Sequence, residues 1–282
     1  MLKTKMRGLE RFLEMKGFRP QLKKRIELVR NEYALLDQFV QGLISGTHKA
    51  GMIQGGPGTG KTEGVNQALQ NAGLIPGVSY LRMSSFATPL ALFLQLYKTK
   101  DKGKILVIDD CDSLFQDESC LNILKSATDP RTSQVSWATS RMKDLHIVEN
   151  GRETLVPPVF KFEGSVVIIT NVSFDHLRKG RVQDHYNAIK DRCVLFPIEA
   201  EEKDTQLARA IFMIAERGML QLDPRTAEIT PSQQQMLIGF VVKNVNWMRG
   251  NLSLRLVNTI AREIVLKPRN WRSMAERHMR HA

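Results

Sequence analysis

An eight-residue run near the first quarter of the chain has the residue types that bind phosphate groups. It fits the pattern G-x-x-x-x-G-K-[ST] in full and consists of Gly55, Gly56, Pro57, Gly58, Thr59, Gly60, Lys61 and Thr62. Glycines let the backbone turn its N–H groups inward, where they and the start of a following helix surround phosphate oxygens. We expect Lys61 to contact the β- and γ-phosphates and the Thr62 hydroxyl to bind Mg²⁺. The run therefore predicts a site for ATP and magnesium.

Two adjacent carboxylates, Asp109 and Asp110, stand at the end of the apolar run 104–109. A buried strand here would deliver Asp109 to the carboxyl edge of a sheet, where ligands bind in open α/β folds. We expect Asp109 to hold the magnesium ion, mostly through water, and Asp110 to orient and polarise the attacking water. One carboxylate would serve a nucleotide switch, and the second favours hydrolysis. The alternative is a strand that ends in an acidic turn.

The elements that must position these groups alternate between apolar runs and helical segments. Continuous apolar runs at 104–109 and 165–170, a weaker one at 193–197, and short ones at 51–54 and 78–83 predict strands. Between them, periodicity predicts a helix over 31–45, another after Lys61, and a third that begins with Thr88 as N-cap and Pro89 at N1. Apolar strands between helices indicate an α/β fold with a central parallel sheet flanked by helices.

After about residue 200 the pattern becomes helical. Helices are predicted over 206–217, from the N-cap Thr230 and Pro231 onward, and over 251–265. We therefore expect three parts: a basic arm over 1–30, a core over 31–200, and a small helical domain with a basic tail over 201–282.

These motifs together resemble the AAA+ ATPases. Gly55–Thr62 looks like Walker A and Ile105–Asp110 like Walker B, with Asp110 where many relatives carry glutamate. Val166–Asn171 is similar to the sensor 1 strand, which implies that Asn171 lies near the γ-phosphate and the attacking water. The resemblance implies an AAA+ core with a helical lid, in which ATP is hydrolysed with Mg²⁺.

Two arginines extend the resemblance. Ala188–Pro197 looks like the segment that carries the arginine finger, with Arg192 as the candidate. Such a finger contacts the γ-phosphate in a neighbouring subunit, which implies a homo-oligomer, a hexamer-like ring or spiral. Leu252–Arg255 resembles the sensor 2 region, with Arg255 reaching back to the nucleotide and Arg249 as the nearest competitor. The alternatives are a surface salt bridge for Arg192 and a helix-surface arginine for Arg255.

The stretch 132–160 predicts an insertion before the sensor strand. Val135, Trp137 and Thr139 alternate, and the runs 145–148 and 154–156 flank Asn150-Gly151, a hairpin turn signal. This resembles the AAA+ clade with a β-hairpin before sensor 1, which includes viral superfamily-three helicases, branch-migration motors, MCM helicases and some protein unfoldases. In such rings the hairpin commonly faces the channel. The candidates for phosphate contacts are Arg141, Lys143 and Arg152; the alternative is a surface hairpin without substrate contact.

A second candidate for substrate contact follows the second predicted strand. Family members often carry a substrate-gripping loop there, and Phe86 would stack on a base or wedge against a polypeptide. The alternative is a core phenylalanine.

Basic residues concentrate at the two ends of a chain of 282 residues with net charge +12. Residues 1–30 hold ten Lys/Arg and three Glu, and residues 262–282 hold six and two. This distribution indicates a polyanion partner, most simply DNA, met by the termini. Solvated helical faces are the alternative.

Composition indicates the cellular compartment in which we expect the protein. No run approaches the length of about 18 apolar residues that spans a membrane, and residues 1–17 lack the apolar core of a secretory leader. Three cysteines without a CxxC pair indicate a reducing cytoplasm and argue against a zinc site. The compact, basic chain would suit a bacteriophage or mobile element.

Three uses of ATP stay open. A DNA motor or helicase is favoured by the basic ends and the hairpin. An ATP-switched assembly factor, such as a helicase loader or a transposition accessory ATPase, is favoured by the compact size. A protein remodeller would need an aromatic pore loop and a docking domain. A small P-loop kinase is a rival class, but such kinases usually lack the Asp109–Asp110 pair.

Overall fold

The computed structural model describes residues 20–137, 145–149, 151–171, 181–198, 202–267 and 269–281. The chain divides into two compact units. The sheet unit comprises Leu35–Gly55 and Lys61–Ile198, and the helical unit comprises Met1–Ala34, Gly56–Gly60 and Glu199–Ala282.

The sheet unit is built on a parallel sheet. Its strands are β1 Ala50–Gly55, β2 Tyr80–Ser84, β3 Ile105–Asp109, β8 Ser165–Thr170 and β9 Val194–Ile198. Within the described residues, these five strands lie in the order β2-β3-β8-β1-β9. Every residue of β3 and β8 is buried, as apolar runs in a sheet covered by helices must be. The predicted α/β fold with a central parallel sheet is confirmed.

Helices flank the sheet. They are α2 Lys61–Asn71, α3 Pro89–Lys98, α4 Glu118–Thr128 and α5 Arg181–Lys190, with a 3₁₀ turn over Asp112–Phe115. The predicted cap is confirmed, because the Thr88 hydroxyl accepts from the backbone N–H of Ala91 and Pro89 begins α3. Asp117 caps α4 in the same way.

The insertion before β8 contains two antiparallel pairs. Strands β5 (His146–Glu149) and β6 (Arg152–Leu155) form the predicted hairpin, with Gly151 in the left-handed region at φ 75°. Strands β4 (Gln134–Ser136) and β7 (Val159–Lys161) form a second ribbon, which the periodicity did not predict as a pair. Thr139, Arg141 and Lys143 lie outside the described residues, as does the side chain of Arg152.

The helical unit has the predicted all-helical character. Its elements are α6 Lys203–Ala215, α7 Met219–Leu222, α8 Pro231–Asn244, a 3₁₀ turn Val245–Trp247, α9 Leu254–Leu266 and α10 Trp271–Arg280. The N-terminus of α8 is closed by a capping box in which Thr230 and Gln233 exchange hydrogen bonds. In the described part of the chain after residue 201, no strand occurs.

The first helix begins earlier than its predicted bounds. Helix α1 spans Pro20–Ile44, so residues 20–30 are helical and do not belong to a separate arm. Buried apolar positions recur through this added length at Leu22, Ile26, Val29 and Tyr33. The basic charge of 1–30 concealed that spacing. Two charged side chains of α1 form ion pairs within the helical unit: Arg30 with Glu216 and, at 2.7 Å, Glu32 with the buried Arg209.

Among the helices of the described residues, none is both long enough and apolar enough to cross a membrane.

Candidate nucleotide site

The loop between β1 and α2 needs its glycines. Gly58 and Gly60 have φ values of 72° and 85°, which L side chains rarely adopt. A Cβ on Gly58 would also lie 2.4 Å from the Cβ of Ser253, and the Gly58 carbonyl accepts from the N–H of Leu254 at 3.0 Å. Within the helical unit, the loop residues 56–60 therefore pack against the start of α9.

Lys61 is the first residue of α2, and its ammonium group is held at the base of the loop. Only 5% of the residue is exposed. Its Nζ donates to the carbonyl of Gly55 at 2.8 Å and to Oδ1 of Asn171 at 2.6 Å. Burying a lysine is costly unless its donors are used, and these acceptors hold the charge at the carboxyl ends of β1 and β8.

Thr62 and Asp109 form an oxygen pair of the kind that Mg²⁺ prefers. The Thr62 hydroxyl donates to Oδ1 of Asp109 at 3.0 Å, and Asp109 is 7% exposed at the end of β3. Mg²⁺ is usually bound through one or two carboxylates plus substrate phosphates and water. No larger cluster of His, Cys, Asp and Glu occurs among the described side chains. The oxygens of Thr62 and Asp109 therefore fit a magnesium ion whose other ligands come from a nucleotide.

Asp110 adopts an uncommon backbone conformation. Its φ is 50°, a left-handed value that a non-glycine residue adopts at some cost and that aspartate tolerates better than most. Its N–H donates to the carbonyl of Ile169 at 3.1 Å, and its exposed carboxylate accepts from Nδ2 of Asn171 at 2.6 Å. Such local strain clusters at functional sites.

Asn171 joins the two predicted groups. Its amide oxygen accepts from Lys61 and its amide nitrogen donates to Asp110. The hydrogen-bonded chain of side chains Lys61–Asn171–Asp110 exists because β8 lies between β1 and β3 in the sheet. Asn171, the residue after β8, is therefore within reach of the residues that follow both of these strands. The structure thus brings five predicted residues together: Lys61, Thr62, Asp109, Asp110 and Asn171.

Arg82 is a residue of this site that the sequence motifs did not predict. It lies in β2, and its Nη1 donates to Oδ2 of Asp109 at 2.5 Å while its Nη2 donates to Asn66. The Asp109 carboxylate is therefore held from both sides, by Thr62 on one oxygen and Arg82 on the other. The available signal was a charged residue in the middle of the strand Tyr80–Ser84.

A second acid lies close to Arg82. Burial raises the pKa of Glu63, and this effect is opposed by a hydrogen bond from Gln67 and by the charge of Arg82. Glu63 stands in the first turn of α2, beside Thr62.

Arg192, the predicted arginine finger, lies outside this cluster. Arg192 follows α5; its Nη1 donates to the carbonyl of Ala188 at 2.6 Å, and its Nε lies 3.9 Å from the carboxylate of Asp129. Among the described residues, no hydrogen bond or ion pair joins it to Lys61 or Asp110. Arg255 is exposed in the first turn of α9, next to Leu254, and Arg249 is exposed before that helix.

Phe86 is exposed, contrary to the alternative that places it in the core. It follows Ser85, whose φ is 70°, and 76% of the phenylalanine is accessible. The loop after β2 therefore presents an aromatic ring to solvent, and contact with a substrate stays a prediction.

A glycine-rich loop follows β1, acidic groups follow β3 and a polar residue follows β8, in a parallel sheet of the order β2-β3-β8-β1-β9. No family model matches the chain. A protein of Enterobacteria phage T4, the "Uncharacterized 36.7 kDa protein in nrdC-mobD intergenic region", is 27% identical over 250 residues, which are 88% of this chain and 73% of the phage protein.

A solved structure of NtrX from Brucella abortus, in complex with ADP, aligns with a TM-score of 0.44 and 14% identity. The alignment covers 95% of this chain and 54% of the NtrX chain. The chain therefore spans about half the length of the NtrX chain that it matches.

Proposed function

We propose that the protein binds ATP with Mg²⁺ and hydrolyses it to ADP and phosphate. The observation that supports this most strongly is the hydrogen-bonded chain Lys61–Asn171–Asp110 beside the Thr62–Asp109 pair. In this proposal, Lys61 would supply the cation for phosphate, Thr62 and Asp109 the metal ligands, and Asp110 the carboxylate for water.

Each residue has a role that its position suggests. The ammonium group of Lys61 would exchange its carbonyl and amide acceptors for phosphate oxygens. Thr62 and Asp109 would hold a magnesium ion, which would neutralise developing charge on the phosphates. Asp110 accepts a hydrogen bond from the attacking water and orients it. Asn171 positions Asp110 and contacts the terminal phosphate.

We further propose that the protein is an AAA+ ATPase that works as a homo-oligomeric ring or spiral. The motif resemblance supports this, together with the position of Arg192 after α5, away from the cluster around Lys61. In a ring, Arg192 of one subunit would leave Ala188 and Asp129 and approach the γ-phosphate bound by its neighbour.

The polymer on which the ring acts is proposed to be DNA, with a motor or helicase activity. The basic ends, the hairpin β5–β6 and the exposed ring of Phe86 support this choice. An assembly factor that binds DNA without unwinding it is the alternative from the sequence.

A protein remodeller is favoured by a different observation. Val148 and Leu155 on the hairpin are 69% and 53% exposed, so the hairpin presents apolar surface of the kind that grips polypeptides.

One experiment separates these functions. ATP turnover of the purified protein is measured alone and with single-stranded DNA, duplex DNA, RNA and an unfolded protein. Stimulation by DNA supports the proposal, and a strand-displacement assay then separates helicase from assembly factor. Stimulation only by the unfolded protein would favour the remodeller. Absence of turnover under every condition, with nucleotide binding intact, would overturn the ATPase assignment.

A further inference from the structure

The helical unit exposes one tryptophan and buries another. Trp247, at the end of the 3₁₀ turn Val245–Trp247, is 70% exposed. Trp271, in α10, is 4% exposed and packs edge-on against Phe240 with ring centroids 5.0 Å apart. An indole is the largest apolar side chain and usually packs against other side chains. Trp271 serves the core, whereas Trp247 leaves most of its ring available to a partner.

A shallow recess adjoins the exposed ring. It is lined by Asn244, Trp247, Glu276, Met279 and Arg280 and holds about 20 Å³, room for little more than one water molecule. Met279 forms an apolar floor at 4% exposure. A group the size of a nucleobase therefore does not fit in the recess, and the exposed indole is the surface that remains for it to contact.

The stretch of chain that contains this ring is strongly basic. Residues 243–281 hold nine Lys/Arg and two Glu. Of the nine, Arg262 pairs with Asp223 at 2.5 Å, and the other eight are exposed. Arg249 follows Trp247 by two residues, and Arg280 lines the same recess. One cation, Arg280, therefore lines the recess beside the indole together with Glu276, and a second, Arg249, lies two residues from it along the chain.

We propose that Trp247, Arg249 and Arg280 form a binding surface for single-stranded DNA. One base stacks on the indole of Trp247, and the two guanidinium groups contact the phosphates on either side. Stacking needs a base whose face is accessible, which a single strand offers and a duplex does not. The assignment rests on the proposed action on DNA.

Charge argues against two other occupants of the surface. Residues 1–19 hold six Lys/Arg and two Glu, so this segment would be repelled by the basic surface. A second copy presenting the same surface would be repelled in the same way. An exposed aromatic ring among basic groups instead complements a strand that carries bases and phosphates.

The stacking step is tested by binding of a fluorescent oligo-dT strand in the absence of ATP. Trp247→Ala should weaken binding about 5- to 150-fold, the range for one stacked base, and Trp247→Phe should recover part of that affinity. Leu222→Ala removes an exposed apolar side chain of the same unit and should leave affinity unchanged. Equal affinity of the wild-type, Ala and Phe proteins, with unchanged circular dichroism, would overturn the proposal.

The charge step is tested by the dependence of binding on salt. Arg280→Ala should reduce the slope of log K against log salt by about 0.7 for each phosphate that the variant no longer binds. Lys102→Ala, which removes an exposed charge from the sheet unit, should leave the slope unchanged. Equal slopes for the two variants, or tighter binding of duplex DNA or RNA than of single-stranded DNA, would overturn the proposal.

Two further measurements separate the possible failures. Basal ATP turnover of Trp247→Ala should equal that of the wild type, since Trp247 is not part of the nucleotide site. If the wild type hydrolyses ATP but binds no nucleic acid, the proposed action on DNA fails as well. If the wild type binds DNA and Trp247→Ala changes only sedimentation, the surface is an interface between copies and this inference alone is overturned.

Discussion

Replacing Asp110 by asparagine isolates the proposed activation of water. Asparagine has nearly the same shape as aspartate and tolerates a left-handed backbone well, so the φ of 50° at this position is kept. In the wild type, Nδ2 of Asn171 lies 2.6 Å from the Asp110 carboxylate. The amide oxygen of the new asparagine can accept the same hydrogen bond. The substitution therefore removes the charge and basicity of one exposed side chain and leaves the fold intact.

The expected effect on the rate follows from the role of the carboxylate. A positioned general base contributes about 10²- to 10⁴-fold to a rate, so Asp110→Asn should lower kcat by that factor. Nucleotide affinity should stay within a few-fold of the wild type, because Lys61, Thr62 and Asp109 are unchanged. Single-turnover hydrolysis of ATP and titration calorimetry with a non-hydrolysable analogue measure the two quantities separately.

A matched control removes a carboxylate that has no role in the site. Asp101 is exposed in a turn of the same unit, where it pairs with Lys100 and Lys104. Such surface pairs are worth little, so Asp101→Asn should leave both kcat and affinity unchanged. If Asp110→Asn retains more than about a tenth of the wild-type kcat, Asp110 is not the group that activates water.

Three further predictions concern the rest of the chain. Arg192→Ala should reduce turnover about 10³-fold or more with ATP binding intact. Mixing this variant with Asp110→Asn should restore some turnover, because a mixed oligomer can contain a complete site. If pull-down shows mixed oligomers but turnover is not restored, a site shared between subunits is refuted. Arg82→Met removes a donor from the buried carboxylate at the end of β3 and should lower the free energy of unfolding by about 1–3 kcal/mol, measured by urea denaturation; an unchanged midpoint would contradict the role of that contact. Deletion of residues 1–19, which precede α1, should leave basal turnover near normal and reduce the salt dependence of DNA binding. An unchanged slope of log K against log salt would exclude this segment from phosphate contacts.

Local chemistry determined the parts of the site that the sequence predicted. The loop Gly55–Thr62 was recognisable because phosphate binding needs glycines and a lysine at fixed spacing, and Gly58 and Gly60 both adopt the left-handed backbone that favours glycine. The caps Thr88 and Thr230 were predictable because capping involves residues three apart. The buried strand β3 was predictable because a central parallel strand is apolar along its whole length.

Other features were decided by tertiary structure, because they depend on which strands become neighbours. The contact of Asn171 with both Lys61 and Asp110 exists only because β8 lies between β1 and β3. Arg82 reaches Asp109 for a similar reason, since β2 pairs with β3 in a register that sets Ser84 opposite Asp109. Spacing along the chain carries no information on such pairs, which are 27 to 110 residues apart.

The first helix shows how charge can conceal a buried face. Its first turns, from Pro20 onward, carry the buried apolar side chains Leu22, Ile26 and Val29, and Glu32 further along pairs with Arg209. The sequence showed the basic residues of this stretch, but only the packed structure distinguishes a solvated arm from a helix with one buried side. The same holds for the two tryptophans of the helical unit, whose sequence contexts are both basic. Trp271 is buried because Phe240 packs against it, and Trp247 is exposed because the 3₁₀ turn ends at the surface.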